Sequence, residues 1–259
     1  VSARPFEGVR VLVPVTPERR QLAVRLADAG ARVDEAEFIA IAPPEDEAPL
    51  REAVAAWCTG GFDWLAVTSR NAVLAMARLA AAAGRSLSEP LPRAQVATVG
   101  EATRAVCAEV GLEVALVPSG RQAAAGIVAD FPHGSGRVLV PRGNLAAPTL
   151  ERGIARRGWD VTAVEAYRTV DGPGAGAATV AAARAGELDA VLLTSGSVAE
   201  RFASQCDMPP AGTMMVAIGE TTAAAARAAG LVVDVVSATP SYDGIAAALA
   251  DALAAKGEA

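Results

Sequence analysis

The chain has 259 residues, 52% hydrophobic but only 4% aromatic, and a formal net charge of −6. That apolar load excludes a disordered chain, and the acidic balance argues against a nucleic-acid partner. No apolar run approaches a membrane span, VSARPFEGVR holds no signal-peptide core, and the three cysteines (Cys58, Cys107, Cys206) stand isolated, so a cytoplasmic protein without membrane or disulfides is expected.

The first strand is VRVLVPV (9–15), a short apolar run, and a helix over 17–30 follows, with Pro17 at its start and Gly30 as its stop. RVDEAEFIAIAPP (32–44) alternates weakly and ends in two prolines, an extended connector. A helix over 45–58 carries acids in its first turn, where they complement the helix dipole. A strand over 63–68 leads into a helix over 69–84 capped by Ser69. A strand and helix over 95–99 and 101–111 come next, and the segments 112–117 and 121–131 close the set. The pattern then restarts with a strand (137–141), a helix (145–158), an extended run (159–167) and a Gly-rich break, DGPGAG (171–176). A helix to about 186, a strand (189–195), a helix (197–206), a strand (213–219), a helix (220–230), a strand (231–236) and a helix (241–257) complete the chain.

The restart is a duplication. FDWLAVTS (62–69) returns as LDAVLLTS (188–195), VATVGEATRAVCAEVGLEV (96–114) as VAIGETTAAAARAAGLVV (216–233), and RVLV (10–13) as RVLV (137–140). The offsets of 119 to 127 positions define a module the size of a whole domain. Strand and helix alternate five times in each copy, which demands parallel strands, right-handed crossovers and helices on both sheet faces. The expected architecture is α/β: two flavodoxin-like, doubly wound parallel sheets whose ligands lie beyond the carboxyl ends of the strands.

The strand-to-helix turns there are rich in Ser, Thr, Gly and Asn. Thr16, Ser69, Asn71, Gly100, Thr103, Ser119, Gly120, Arg142, Gly143, Asn144, Ser195, Ser197, Gly219, Thr221, Thr222 and Ser241 are the candidate substrate-binding residues. Small residues leave the first amides of a helix accessible, and its positive end suits carboxylates or phosphates. Plain helix capping accounts for any one turn equally well. Arg121 and Arg142 either pair with ligand carboxylates or sit solvated; Glu101 and Glu220 complement helix dipoles.

Dinucleotide and P-loop fingerprints are missing, as are a serine-hydrolase elbow and an acidic phosphoacceptor cluster. His133 is the only histidine and reads as a solvated turn residue, which leaves no histidine base or metal set. No nucleotide-cofactor loop and no histidine metal site is therefore read from the residues. Proton handling falls to Tyr167, Tyr242 and carboxylates, and Tyr167 stands out at the end of VTAVEAY, where the chain leaves one module for the other.

Eight turns in register, with the VEAYRT segment between them, resemble uroporphyrinogen-III synthase: VLVP with Thr16, FDWLAVTSRNAV, VATVGEAT, the VPSG turn, RVLVPRGN, DAVLLTSGSV, VAIGETTA and TPSYDGIAAAL. The VPSG…AG and AYRT forms resemble actinobacterial members. The family often has a basic residue beside the first-strand threonine; here Val15 and Pro17 flank it, leaving Arg19 or Arg20 to substitute. The resemblance implies a discontinuous domain (1–36 plus 170–259), a second domain (42–164) and two extended crossovers (37–41 and 165–169). It also implies cofactor-free cyclisation of hydroxymethylbilane to uroporphyrinogen III in the interdomain cleft, with inversion of the last pyrrole ring and loss of water. Tyr167 would donate to the departing hydroxyl. Hydroxymethylbilane synthase is the expected handover partner, and a monomer the default state. A clamshell ligand-binding protein and a catalytically inactive or regulatory descendant remain alternatives.

Overall fold

A computed structural model describes residues 4–16, 20–91, 93–120, 123–206 and 212–257. In chain order the first elements are β1 (Arg10–Pro14), α1 (Gln21–Asp28), β2 (Arg32–Ala42), α2 (Ala48–Cys58), β3 (Trp64–Val67), α3 (Arg70–Ala82), β4 (Gln95–Thr98), α4 (Glu101–Glu109) and α5 (Ala124–Asp130). Then follow β5 (Arg137–Gly143), α6 (Thr149–Ala155), β6 (Asp160–Gly174), α7 (Ala177–Ala185), β7 (Ala190–Leu193), α8 (Gly196–Gln205), β8 (Met214–Ala217), α9 (Glu220–Ala228), β9 (Val235–Val236) and α10 (Tyr242–Gly257).

The chain divides into two compact units. The first comprises Val1–Ala40 and Val170–Ala259, the second Ile41–Thr169. In the first, the strands run β2-β1-β7-β8-β9, each paired parallel to its neighbour. Counted along the chain this is the order 2-1-3-4-5, the flavodoxin arrangement. In the second the order is β6-β5-β3-β4, again parallel, and Leu116 adds a single parallel bridge to Ala97 beyond β4. Counted from β5, the order is the same. Each unit therefore takes its first two strands from one sequence copy and the remainder from the other.

The joints where the copies meet are equivalent in atomic detail. Val11 and Leu12 of β1 lie opposite Ala190 and Val191 of β7; Val138 and Leu139 of β5 lie opposite Trp64 and Leu65 of β3. An aspartate ties each joint at its amino end. Asp189 accepts the Arg10 backbone N–H at 2.8 Å and donates its own N–H to the Arg10 carbonyl at 2.9 Å. Asp63 accepts the Arg137 backbone N–H at 2.7 Å and donates to the Arg137 carbonyl at 2.8 Å. In the first unit Arg10 also bonds Asp34 of β2 and Glu187, and these carboxylates, Asp34 foremost, hold its guanidinium charged.

Alternation along the strands sends side chains to two apolar layers, as burial on both faces requires. In the second unit Leu65, Val67, Val96 and Leu139 pack under α2, α3 and α4, while Trp64, Ala66, Ala97, Val138 and Val140 pack under α5 and α6. In the first unit Leu12, Val191, Leu193 and Met215 face α7, α8 and α9; Val11, Val13, Leu192 and Val216 face α1 and α10. Phe38 and Phe202 meet edge to face, ring centres 5.7 Å apart.

The expectations at the Gly-rich break and at 112–117 are corrected. DGPGAG does not break the chain: β6 continues to Gly174, and Gly172 lies so close to the Glu37 carbonyl of β2 that a Cβ would collide with it. Glycine here serves close backbone approach rather than a turn. The connector expected to be extended at 32–44 is extended, and to Ala42 it is a paired strand, β2. The segment LEVALV gives only the bridge at Leu116. Among the described residues no helix is long and apolar enough to cross a membrane.

Replacing Asp189 by alanine removes a charged acceptor from the first unit alone, and Asp63→Ala does so in the second. Each substitution is expected to cost about 1 kcal/mol, read as a lower urea midpoint for the unit that carries it, with near-additive effects in the double variant.

Candidate active site

The parallel order puts every strand-to-helix turn of a unit at the same edge of its sheet. In the first unit this rim begins at Thr16, which follows β1 and is buried. Ser195 precedes α8 in extended conformation, and its hydroxyl accepts the Val198 N–H at 3.2 Å; Ser197 lies half-buried in the first turn. Gly219 precedes α9, its carbonyl accepting the Ala223 N–H at 3.0 Å. Thr221 is exposed and Thr222 buried beneath it in the same turn. Ser241 accepts the Gly244 N–H at 3.0 Å as α10 begins.

Several of these residues line one concavity of about 440 Å³: Ile218, Gly219, Glu220, Thr221 and Thr222 from the α9 turn, Val236, Ser237, Ala238 and Pro240 from the loop before α10. The opening amides of α9 have no acceptor within the helix and lie at its positive end. Glu220, the carboxylate of that turn, is matched by Arg227 at 2.9 Å. Ser237 and Ala238 were not anticipated, because sequence reading favours the serine that starts a helix (Ser241) over one that ends a strand. The Ser237 hydroxyl donates to the Thr239 carbonyl at 2.7 Å and so shapes the loop. Arg20, a candidate charge near Thr16, pairs with Glu35 at 2.5 Å. Arg19 and Pro17 lie outside the described residues.

The second unit's rim is built alike. Ser69 caps α3 by accepting the Asn71 N–H at 3.2 Å, and Asn71 is half-buried. Gly100 opens α4 with fully extended backbone, its carbonyl accepting from Thr103 and Arg104. Thr103 is buried, and so is Thr98 at the end of β4, whose hydroxyl has no partner among the described residues. Ser119 uses both its N–H and its hydroxyl on Asp130, at 2.9 and 3.1 Å, and both Ser119 and Gly120 are exposed. Arg121 lies outside the described residues.

Beyond β5 the arrangement changes. Arg142 folds onto its own loop, donating to the Ala146 carbonyl at 3.0 Å with Glu151 at 3.3 Å. Asn144 accepts the Thr169 N–H at 2.9 Å and donates its side-chain amide to the Thr169 carbonyl at 3.3 Å, while its backbone N–H reaches the Tyr167 carbonyl at 3.2 Å. The ladder slips here: Arg142 is opposite Glu165, but Gly143 is opposite Tyr167. Such a bulge re-aims a side chain, and Tyr167 packs with Ala166 against the same apolar layer. A Cβ on Gly143 would stand 2.7 Å from the Tyr167 ring and 2.9 Å from its hydroxyl. That hydroxyl bonds none of the described residues.

Other chemistry finds little support. Burial pushes the Cys107 thiol up to about 11, and Cys58 is raised by burial and by Glu89, so neither is primed as a nucleophile. His133 is exposed, and Tyr242 packs into the first unit's core. Glu101 lies 3.5 Å from Arg104. Among the described residues no cluster of three His, Cys, Asp or Glu could hold a metal ion. A recess of about 710 Å³ lies at the amino ends of β3 and β4, but its carboxylates are engaged, Asp63 by the Arg137 N–H and Glu89 by Arg85. Arg85 in turn holds the Glu89 carboxyl below its ordinary range.

Loss of the capping hydroxyl in Ser69→Ala or Ser195→Ala is expected to lower stability by about 1 kcal/mol, measured by thermal unfolding of the free protein. A native thiol titration offers a second check. Cys107 should resist Ellman's reagent at pH 8 and react at once when urea exposes it.

A protein-family profile described as "Uroporphyrinogen-III synthase HemD" matches residues 20–247. The rice chloroplastic uroporphyrinogen-III synthase is 31% identical over 215 residues, 76% of this chain and 66% of the rice protein. The Synechococcus elongatus uroporphyrinogen-III synthase is 32% identical over 173 residues, 65% of this chain and 64% of that protein. The chain thus spans just under two thirds of the curated relatives it matches. Two solved structures share the fold. A mutant uroporphyrinogen III synthase from Thermus thermophilus superposes with a TM-score of 0.68 at 22% identity, over 95% of this chain and 98% of that one. The Helicobacter pylori uroporphyrinogen-III synthetase gives 0.62 at 16% identity, over 95% and 99%.

Proposed function

The chain belongs to the uroporphyrinogen-III synthase family, and from that premise we propose that it cyclises hydroxymethylbilane to uroporphyrinogen III. The substrate is a linear tetrapyrrole with eight carboxylates. Protonation and loss of its terminal hydroxyl as water leave an azafulvene cation, and the proton is returned when the newly joined ring regains its aromaticity. The last ring attacks through its substituted carbon, and the resulting spiro intermediate fragments and recloses with that ring inverted. Unassisted closure gives the uninverted isomer, so the protein must direct a reactive chain as well as help the hydroxyl leave.

The observation that carries this reading is Tyr167: a phenol at the carboxyl edge of a parallel sheet, bonded to none of the described residues, in a family-matched chain. A neutral phenol donates a hydrogen bond to a departing hydroxyl without needing to ionise. The turns at Ser69, Gly100, Ser195 and Gly219, with Thr16, Asn71, Thr103, Ser197, Thr221, Thr222 and Ser241 beside them, supply amides and hydroxyls for the substrate's carboxylates. Held carboxylates fix which ring carbon reaches the cation, and this positioning supplies the selectivity. A cytoplasmic location, a monomeric state and handover from hydroxymethylbilane synthase belong to the same reading.

One observation favours a second reading, a catalytically inactive, ligand-binding descendant: Arg20, a basic residue near Thr16, is already spent on Glu35. Incubation with enzymatically generated hydroxymethylbilane, followed by oxidation and chromatography, separates the two. Isomer III is the expected product; isomer I alone would sink the first reading. Tyr167→Phe should form isomer III about tenfold more slowly, the value of one hydrogen bond at a charged centre.

A further inference from the structure

We propose that Asn144 and Gly143 are positioning residues for Tyr167, acting on the reaction through that side chain rather than through the substrate; the inference rests on the role proposed for Tyr167. Both emerge from sequence as carboxylate binders on a rim turn. The geometry assigns them otherwise.

Asn144 is engaged on three sides. Its side-chain oxygen and nitrogen take both backbone groups of Thr169, at 2.9 and 3.3 Å, and its backbone N–H takes the Tyr167 carbonyl at 3.2 Å. These bonds continue a ladder that the bulge after Arg142 would otherwise end. They fix the main chain on either side of Arg168, and with it the direction of the Tyr167 Cα–Cβ bond. Gly143 acts on the far end of the same side chain. The hydroxyl end of the ring lies over its Cα, in the space any Cβ would fill. One residue thus sets where the phenol starts and the other where it ends. Alternation would send Tyr167 and Ala166 to opposite faces; with the register shift beside them, both pack against the same apolar cluster. In the first copy, the register of RVLV with RVLV puts Thr16 and Pro17 at these positions. A proline there has no side-chain amide, and β2 carries no tyrosine. Asparagine, glycine and tyrosine occur together in the one copy.

The test uses the whole chain. It holds two tyrosines, Tyr167 and Tyr242, so tyrosine labelled with carbon-13 at Cζ gives two resonances, assigned with Tyr167→Phe. In the free protein, Asn144→Ala should move the Tyr167 resonance and leave that of Tyr242. With hydroxymethylbilane, it should lower kcat about tenfold, near the loss in Tyr167→Phe, with less than about a twofold change in KM. Added to Tyr167→Phe it should cost less than about a further twofold, since a residue that acts through another has nothing left to act on. Asn144→Asp, which keeps the acceptor for the Thr169 N–H, should recover part of the rate. Gly143→Ala should displace the same resonance from the other end. Its methyl meets the end of a side chain rather than backbone, so it carries the test should Asn144→Ala fail to fold. An unmoved Tyr167 resonance, a loss confined to KM, or rate losses that multiply in the double variant would each overturn the proposal. A moved resonance with fully active Tyr167→Phe would instead refute the role of Tyr167, and leave Asn144 a purely structural residue.

Discussion

Two strand pairings, β1 with β7 and β5 with β3, are the joints on which everything else depends. Each joins strands from different sequence copies, in the same register and under the same aspartate clasp. Neither copy can complete a sheet by itself, because its first two strands and its remaining ones belong to different units. The rims inherit this mixing. The first unit sets Thr16 from one copy beside Ser195 and Gly219 from the other; the second sets Ser69 and Gly100 beside Asn144 and Tyr167. A lost joint would therefore remove a rim together with its sheet, and no unit keeps half of its helix-opening turns.

Within this repeated frame, the proposed donor lies where the repeat fails. The capping serines (Ser69, Ser195) and the extended glycines (Gly100, Gly219) match position for position and do the same local work. The turn after β5 is different. There a bulge, a side-chain clasp and a missing Cβ converge on one phenol. A duplicated module offers two equivalent edges of helix-opening amides, whereas the bulge positions a single phenol.

Much of the fold was legible. Apolar runs such as VLVP and LAVT, closed by small polar residues, mark parallel strands, and the repeat implies two sheets of the same kind. The rim residues followed, because a parallel order leaves them only one edge to occupy. What escaped the sequence was non-local. DGPG carries turn residues, yet it continues a strand because β2 lies against Gly172. The clasp of Asn144 on Thr169 spans 25 residues, and no periodicity reports a side chain that mimics a ladder. Ser119 reads as a free rim hydroxyl until Asp130, a helix away, takes it. Gly143 reads as a flexible turn glycine, but its use is the volume that it does not fill.

The exchange of strands between copies also sets an order of assembly. The second unit is one unbroken stretch, Ile41–Thr169, whose joint closes across 74 residues at Asp63 and Arg137. The first unit's joint closes across 179 residues at Arg10 and Asp189. β1 and β2 precede the second unit in the chain and pair with each other, yet the rest of their sheet waits for β7 and β8, while the unit encoded between them already has every strand it needs. Domains fold as their sequence becomes available, and longer closures are slower. β1 thus waits across 179 residues for its second neighbour, and through that interval one side of VRVLVPV is an open apolar edge able to pair with other chains.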